Sequence, residues 1–182
     1  MKQIKEMSLG ELAAYVCTHL KRNGIHCVLT GGACVSIYSE NRYESFDLDF
    51  IENIASKRKD IVKALSQIGF FEDNKYFKHA ETEYFIEFPK GPLAIGREPV
   101  SEPNVIEFET GQLMLLSPTD SVKDRLSAYY HWNDKQCLDQ AILIIENNRI
   151  DIEEIQRWSE QEGKLLEFNL IKEKFINKNK HL

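Results

Sequence analysis

Asp47 and Asp49 stand two residues apart in Phe46-Asp47-Leu48-Asp49-Phe50, each between apolar neighbours. That alternation is a strand pattern, and successive strand side chains take opposite faces. Both carboxylates therefore point one way, and Phe46, Leu48 and Phe50 point the other. Two carboxylates so close repel one another unless a cation lies between them. Magnesium takes hard oxygen ligands and usually brings phosphate oxygens with it. Read alone, the pair fits an edge strand with one wet face better than a metal site. Gly31-Gly32 adds a second feature, lying between the apolar run Cys27-Val28-Leu29 and a helical opening at Ala33 to Tyr38. A glycine pair between strand and helix lets backbone amides approach a phosphate, whose charge the helix amino end favours. Phosphate cradle and carboxylates would then come from neighbouring strands joined by one short helix.

A third acid is available in Glu87, flanked by Ile86 and Phe88 in the strand pattern Tyr84 to Phe88. Facing Asp47 and Asp49, it would complete a metal site or take a proton from an attacking hydroxyl. Glu83 shares its face and competes for the role, and a solvent-facing glutamate on an edge strand is the plain alternative. Three further residues are candidates for phosphate contact. Ser36 follows the glycines by one helical turn, Arg42 precedes the acidic strand, and Lys123 follows a helix start. Arg42 fits a pair with Glu44 equally well, and Lys123 fits an exposed helix position.

The order Gly31-Gly32, then Ser45-x-Asp47-x-Asp49, then an isolated acid between apolar residues resembles the nucleotidyltransferase superfamily related to DNA polymerase beta. Within it, the chain is most similar to the small bacterial antibiotic- and toxin-type enzymes with a helical carboxyl-terminal half. The motif-bearing likeness runs from Leu29 to Phe88, and a weaker one continues through the helices from Ser117 to Ile145. The resemblance implies that Gly31 and Gly32 contact the triphosphate of an NTP. It implies one or two magnesium ions on Asp47 and Asp49, with Glu87 as the third acid. The implied reaction transfers a nucleoside monophosphate to an acceptor hydroxyl and releases pyrophosphate. The acceptor stays open among a small molecule, a protein side chain and an RNA end. A catalytically weak nucleotide-binding or antitoxin-like module and an RNA-end-modifying toxin are the alternative readings. Two positions depart from the pattern: Ala33 stands where a hydroxyl residue often follows the glycines, and Gln136 replaces the first acid in Lys135-Gln136-Cys137-Leu138-Asp139.

Positioning these residues calls for an α/β (α+β) fold: a small mixed sheet core over residues 1–116, then a helical domain over 117–182. Ser8 with Glu11 three residues later reads as a capping box, and Leu9, Leu12, Ala13, Val16, Cys17 and Leu20 follow at helical spacing. Ser56 reads as the cap of a helix through Ile68. Lys90 to Pro103 reads as loop with at most short strands, and Val105–Phe108 with Gln112–Leu116 as a hairpin. Ser117-Pro118 with Asp120 is a helix start, and three or four helices follow, broken near Asn133, Asn147-Asn148 and Gly163. Lys172 to Lys180 reads as a fraying, solvated end.

The whole chain has 182 residues, 42% hydrophobic and 29% charged, a globular balance that excludes wholesale disorder. The four cysteines, Cys17, Cys27, Cys34 and Cys137, form no C-x-x-C pair, which argues against a zinc site or disulfide framework. A net charge of -6 argues against avid, non-specific nucleic-acid binding. No apolar run reaches the ~20 residues that cross a bilayer, and the polar Lys2-Gln3-Ile4-Lys5-Glu6 lacks a leader's apolar core. Cytoplasmic placement, without a membrane partner, is the expectation.

Overall fold

The computed structural model describes residues 2–52, 56–100 and 102–179. The Ser8 hydroxyl oxygen accepts a hydrogen bond from the Glu11 amide, and the Ser8 amide donates to the Glu11 carboxylate at 2.8 Å. This box starts α1 (Leu9–Arg22), whose Leu12, Ala13, Val16 and Leu20 are completely buried. Removing such a cap costs about 1 kcal/mol, and each buried leucine contributes roughly 2 kcal/mol. Burial of the apolar stripe therefore outweighs the cap in holding α1.

The chain then runs through β1 (Cys27–Thr30), α2 (Gly31–Tyr38), β2 (Asp47–Glu52), α3 (Arg58–Ser66), β3 (Phe71–Asp73), β4 (Tyr76–His79) and β5 (Thr82–Glu87). A two-stranded ribbon, β6 (Ala94–Ile95) with β7 (Glu98–Pro99), precedes the hairpin β8 (Asn104–Phe108) and β9 (Gly111–Leu115). Four helices close the chain: α4 (Pro118–Trp132), α5 (Lys135–Asn147), α6 (Ile152–Gln161) and α7 (Leu165–Asn179). The fold is thus mixed α/β.

Among the described residues seven strands form one mixed sheet, ordered β3-β4-β5-β2-β1-β9-β8. β2 runs antiparallel to β1 and parallel to β5, and β1 runs parallel to β9. The central strands supply Leu29, Leu48, Phe50 and Ile86 to the core, all with no exposed area. On the helical side, α2 packs against α4 and α5. The Tyr38 hydroxyl at the end of α2 donates to the Leu116 carbonyl at 2.7 Å, tying that helix to the end of β9.

Two local expectations need correction, and one pair of strands has no counterpart in them. The third helix begins at Arg58 with Lys57 as its uncapped N-cap and ends at Ser66, not from Ser56 through Ile68. The Ser56 amide donates instead to Glu52 at 2.7 Å, a link from the end of β2 that local sequence does not announce. Phe71 to His79, which carries no strong apolar alternation, forms the β3–β4 edge hairpin, turning through Asn74 at φ +59°. The lysine-rich end does not fray within α7: Phe168, Ile171 and Phe175 are buried, and Lys178 pairs with Glu146. Lys180, like Ser101 in the Gly- and Pro-rich stretch, lies outside the described residues.

Candidate active site

β1 ends at Thr30, whose register partner on β2 is Asp49, and the chain turns at once into α2. The Thr30 hydroxyl donates to the Asp49 carbonyl at 3.2 Å, fixing the strand ends together. Gly31 makes the turn with φ +70°, a left-handed conformation that residues with a Cβ rarely adopt. A Cβ added there would lie 2.6 Å from Asp49 Oδ2. The Asp49 carboxylate therefore rests against bare glycine backbone. At Gly32 a Cβ would meet Ser45 Oγ at 3.0 Å and the Tyr43 ring at 3.4 Å. Thr30 provides no side-chain cap for α2, so first-turn amides have no capping acceptor there.

On the other side of β2, the parallel register pairs Asp47 with Phe85 and Asp49 with Glu87. Register partners share a face, so Asp47, Asp49 and Glu87 lie on one side of the sheet. Glu83 sits on the same side but beyond the start of β2, and it is exposed. Glu87 is the acid opposite Asp49. Among the described residues, however, no three His, Cys, Asp or Glu side chains are drawn into a metal-holding cluster. Each outer acid has a partner that draws it aside. Lys75 Nζ stands 2.9 Å from Glu87 Oε1, and the Ser45 hydroxyl donates to Asp47 Oδ1.

Charge concentrates on Asp49. Burial pushes its carboxyl up to about 7, and the like charges of Asp47 and Glu87 push in the same direction. The opposing influence is Arg125, from α4, which favours the ionised carboxylate. Asp49 is half-buried, and the two carboxylates that share its face are the hard oxygen donors a divalent cation takes.

The remaining candidates occupy other places. Ser36 is buried, accepts from the Ser45 amide at 3.0 Å and donates to the Gly32 carbonyl at 3.4 Å. Through these two bonds it ties the glycine turn to the segment that leads into β2. Arg42 pairs with Glu146 of α5 rather than Glu44. Lys123 is buried between Asp120 at 2.9 Å and Glu154 at 3.1 Å, so it is neither a solvated helix lysine nor free for a phosphate. Arg125 is the residue that sequence spacing passed over. Its charge acts on Asp49 from α4, a helix that packs against α2 and lies far along the chain from the acids.

A cavity of about 530 Å³ opens where β2 and β5 end, lined by Glu52, Arg58, Ile61, Phe88 and Lys90. Asp47, Asp49, Glu87 and the glycine turn lie outside its lining. Comparison with protein-family models, curated proteins and solved structures gives no match. The reading therefore stands on the residues themselves.

Proposed function

We propose that the chain is a nucleotidyltransferase, moving a nucleoside monophosphate from an NTP to an acceptor hydroxyl with release of pyrophosphate. The observation that carries it is Asp49 Oδ2 lying against the backbone of Gly31, 2.6 Å from where a side chain would begin. Nucleotidyl transfer needs phosphate-admitting backbone and negative oxygens at one point, and this contact joins the two. The arrangement of β1, β2 and β5 around one short helix is compatible with the small mixed-sheet core of that superfamily.

Within this reading, Gly31 and Gly32 admit the phosphates because no Cβ stands over the first-turn amides of α2. Asp47, Asp49 and Glu87 would hold magnesium, which supplies the positive charge that the leaving pyrophosphate and the three carboxylates require. Glu87, opposite Asp49, leaves Lys75 and accepts the proton of the attacking hydroxyl at a carboxylate oxygen. The Ser45 hydroxyl, which donates to Asp47, also borders Gly32, so it links the acid strand to the glycine turn. Phosphoryl chemistry depends mainly on such positioning, so small displacements should be costly.

The engagement of Glu87 by Lys75 favours one alternative, a module that binds NTP and turns it over weakly. Pyrophosphate release from each NTP, with magnesium and cell extract as a source of acceptor, separates the two. The enzyme reading predicts release that falls on the order of a hundredfold or more in Asp49→Asn. Tight NTP binding without release would leave the binding module, and equal release from Asp49→Asn would remove the acids from the chemistry.

A further inference from the structure

We propose that the segment from Glu40 to Glu44 is a strap over the glycine turn, and that Tyr43 is the gate an entering nucleotide must lift. The inference rests on the nucleotidyl-transfer reading and adds to it the step that admits the phosphates.

The two glycines of the turn serve different ends. Gly31 needs its freedom for left-handed backbone, whereas Gly32 lies outside that region. At Gly32 the missing Cβ makes room instead. The space it would take is bordered by Ser45 Oγ at 3.0 Å and by Cε1 of the Tyr43 ring at 3.4 Å. Ring and phosphate oxygens therefore compete for the same bare backbone. Tyr43 is half-buried, while Glu40, Asn41, Arg42 and Glu44 are all exposed. The ring is the one side chain of the strap seated on the protein.

The rest of the strap is held loosely. Glu40 and Asn41 take left-handed backbone at φ +54° and +62°, a region costly to residues with a Cβ. Three amides tie the strap to the end of α2. Asn41 donates to the Ser36 carbonyl at 2.8 Å, Arg42 to the Ser39 carbonyl at 3.2 Å, and Tyr43 to Ser39 Oγ at 3.4 Å. These bonds are local along the chain, so breaking them parts no two elements. One contact reaches further: Arg42, its side chain 46% exposed, pairs with Glu146 of α5. Exposed pairs hold weakly. Lys178 pairs with the same carboxylate, so Glu146 keeps a cation when Arg42 lets go. Exposed segments with few buried contacts are the ones that open first.

Both ends of the strap are fixed. Ser39 and Ser45 are buried, and the Ser45 amide donates to Ser36 Oγ at 3.0 Å. The Phe46 carbonyl accepts from the Phe85 amide at 3.0 Å. Lifting is confined to the residues between, and the strand that carries Asp47 and Asp49 stays in place. Gating of this kind controls entry without touching the reacting groups.

The test compares the full chain as wild type, Arg42→Ala and Glu146→Gln. Hydrogen exchange is read at the Asn41, Arg42 and Tyr43 amides, and titration calorimetry measures binding of ATP, GTP, CTP and UTP with magnesium. In wild type, a saturating NTP should speed exchange at Tyr43, because bound phosphates hold the strap up. Releasing the Arg42–Glu146 contact should speed exchange at these amides about two- to fivefold. It should tighten NTP binding by the same factor, because both quantities follow the open population. A contact that only braces the fold would speed exchange without tightening binding. Should one variant not fold, the other carries the comparison. Slower exchange at Tyr43 with NTP bound, or faster exchange in Glu146→Gln without tighter binding, would overturn the gate and leave the nucleotidyl-transfer reading standing. If wild type binds none of the four nucleotides, the proposal and the reading beneath it both fall.

Discussion

Asp49 is a carboxyl on which burial and two like charges act together, and its acid constant near 7 has a consequence for the unliganded protein. An ordinary aspartate has a value of 3.8. Between those values the folded chain keeps a proton that the unfolded chain has released. Stability therefore falls as pH rises from about 4 to about 7, then levels off. The loss is on the order of 4 kcal/mol at most. Asp49→Asn should flatten this slope and exceed wild type in stability near pH 8, as read by denaturant unfolding across that range. Identical slopes in the two proteins would show that Asp49 is not strained by its neighbours. The exposed Lys75–Glu87 pair adds little to this balance, since such pairs contribute about 0–1 kcal/mol. At this scale, Asp47, Asp49 and Glu87 were legible because a period of two assigns strand faces without tertiary knowledge. That Glu87 rather than Glu83 faces Asp49 was not legible, because cross-strand register is a long-range quantity.

Elements set how closely those residues meet. β1 stops at Thr30, opposite Asp49, and a left-handed glycine converts strand into helix in one step. Gly31→Ala should therefore cost about 1–2 kcal/mol from backbone conformation alone, plus whatever is needed to move the Asp49 carboxylate. Measuring Gly31→Ala in wild-type and Asp49→Ala backgrounds separates the two contributions. The substitution should be less harmful without the carboxylate, with a coupling on the order of 1 kcal/mol. Additive effects would mean that the carboxylate does not rest on the turn. Local signals were readable here: the Ser8–Glu11 box and the Ser117 cap on Asp120 both formed where side-chain chemistry within one turn calls for them. The start of α3 and the β3–β4 hairpin were not readable. The Ser56 amide is taken by Glu52 while its side chain caps no helix, and Phe71 and Glu72 on the hairpin's outer strand are exposed, which removes the apolar rhythm that marks a buried strand.

On the scale of the whole molecule, the helices after Ser117 matter because α4 and α5 close over α2, the helix that begins at the glycine turn. Arg42 with Glu146 ties the segment after α2 to α5, and Lys123 with Glu154 ties α4 to α6. These pairs explain why two basic residues that spacing offered as phosphate contacts are engaged in the fold. Their partners lie on distant elements, so only packing could reveal the pairing. From the same helix as Lys123, Arg125 favours the ionised form of Asp49, an influence with no signature in the residues around it. The account as a whole comes down to which phosphorus leaves the NTP. NTPs labelled at the α- or the γ-phosphorus, incubated with the protein, magnesium and cell extract, give the most direct reading. Only the α-label should become attached to an acceptor above the level of extract alone, and Asp49→Asn should attach none. Transfer of the γ-label, or undiminished α-label transfer by Asp49→Asn, would contradict it.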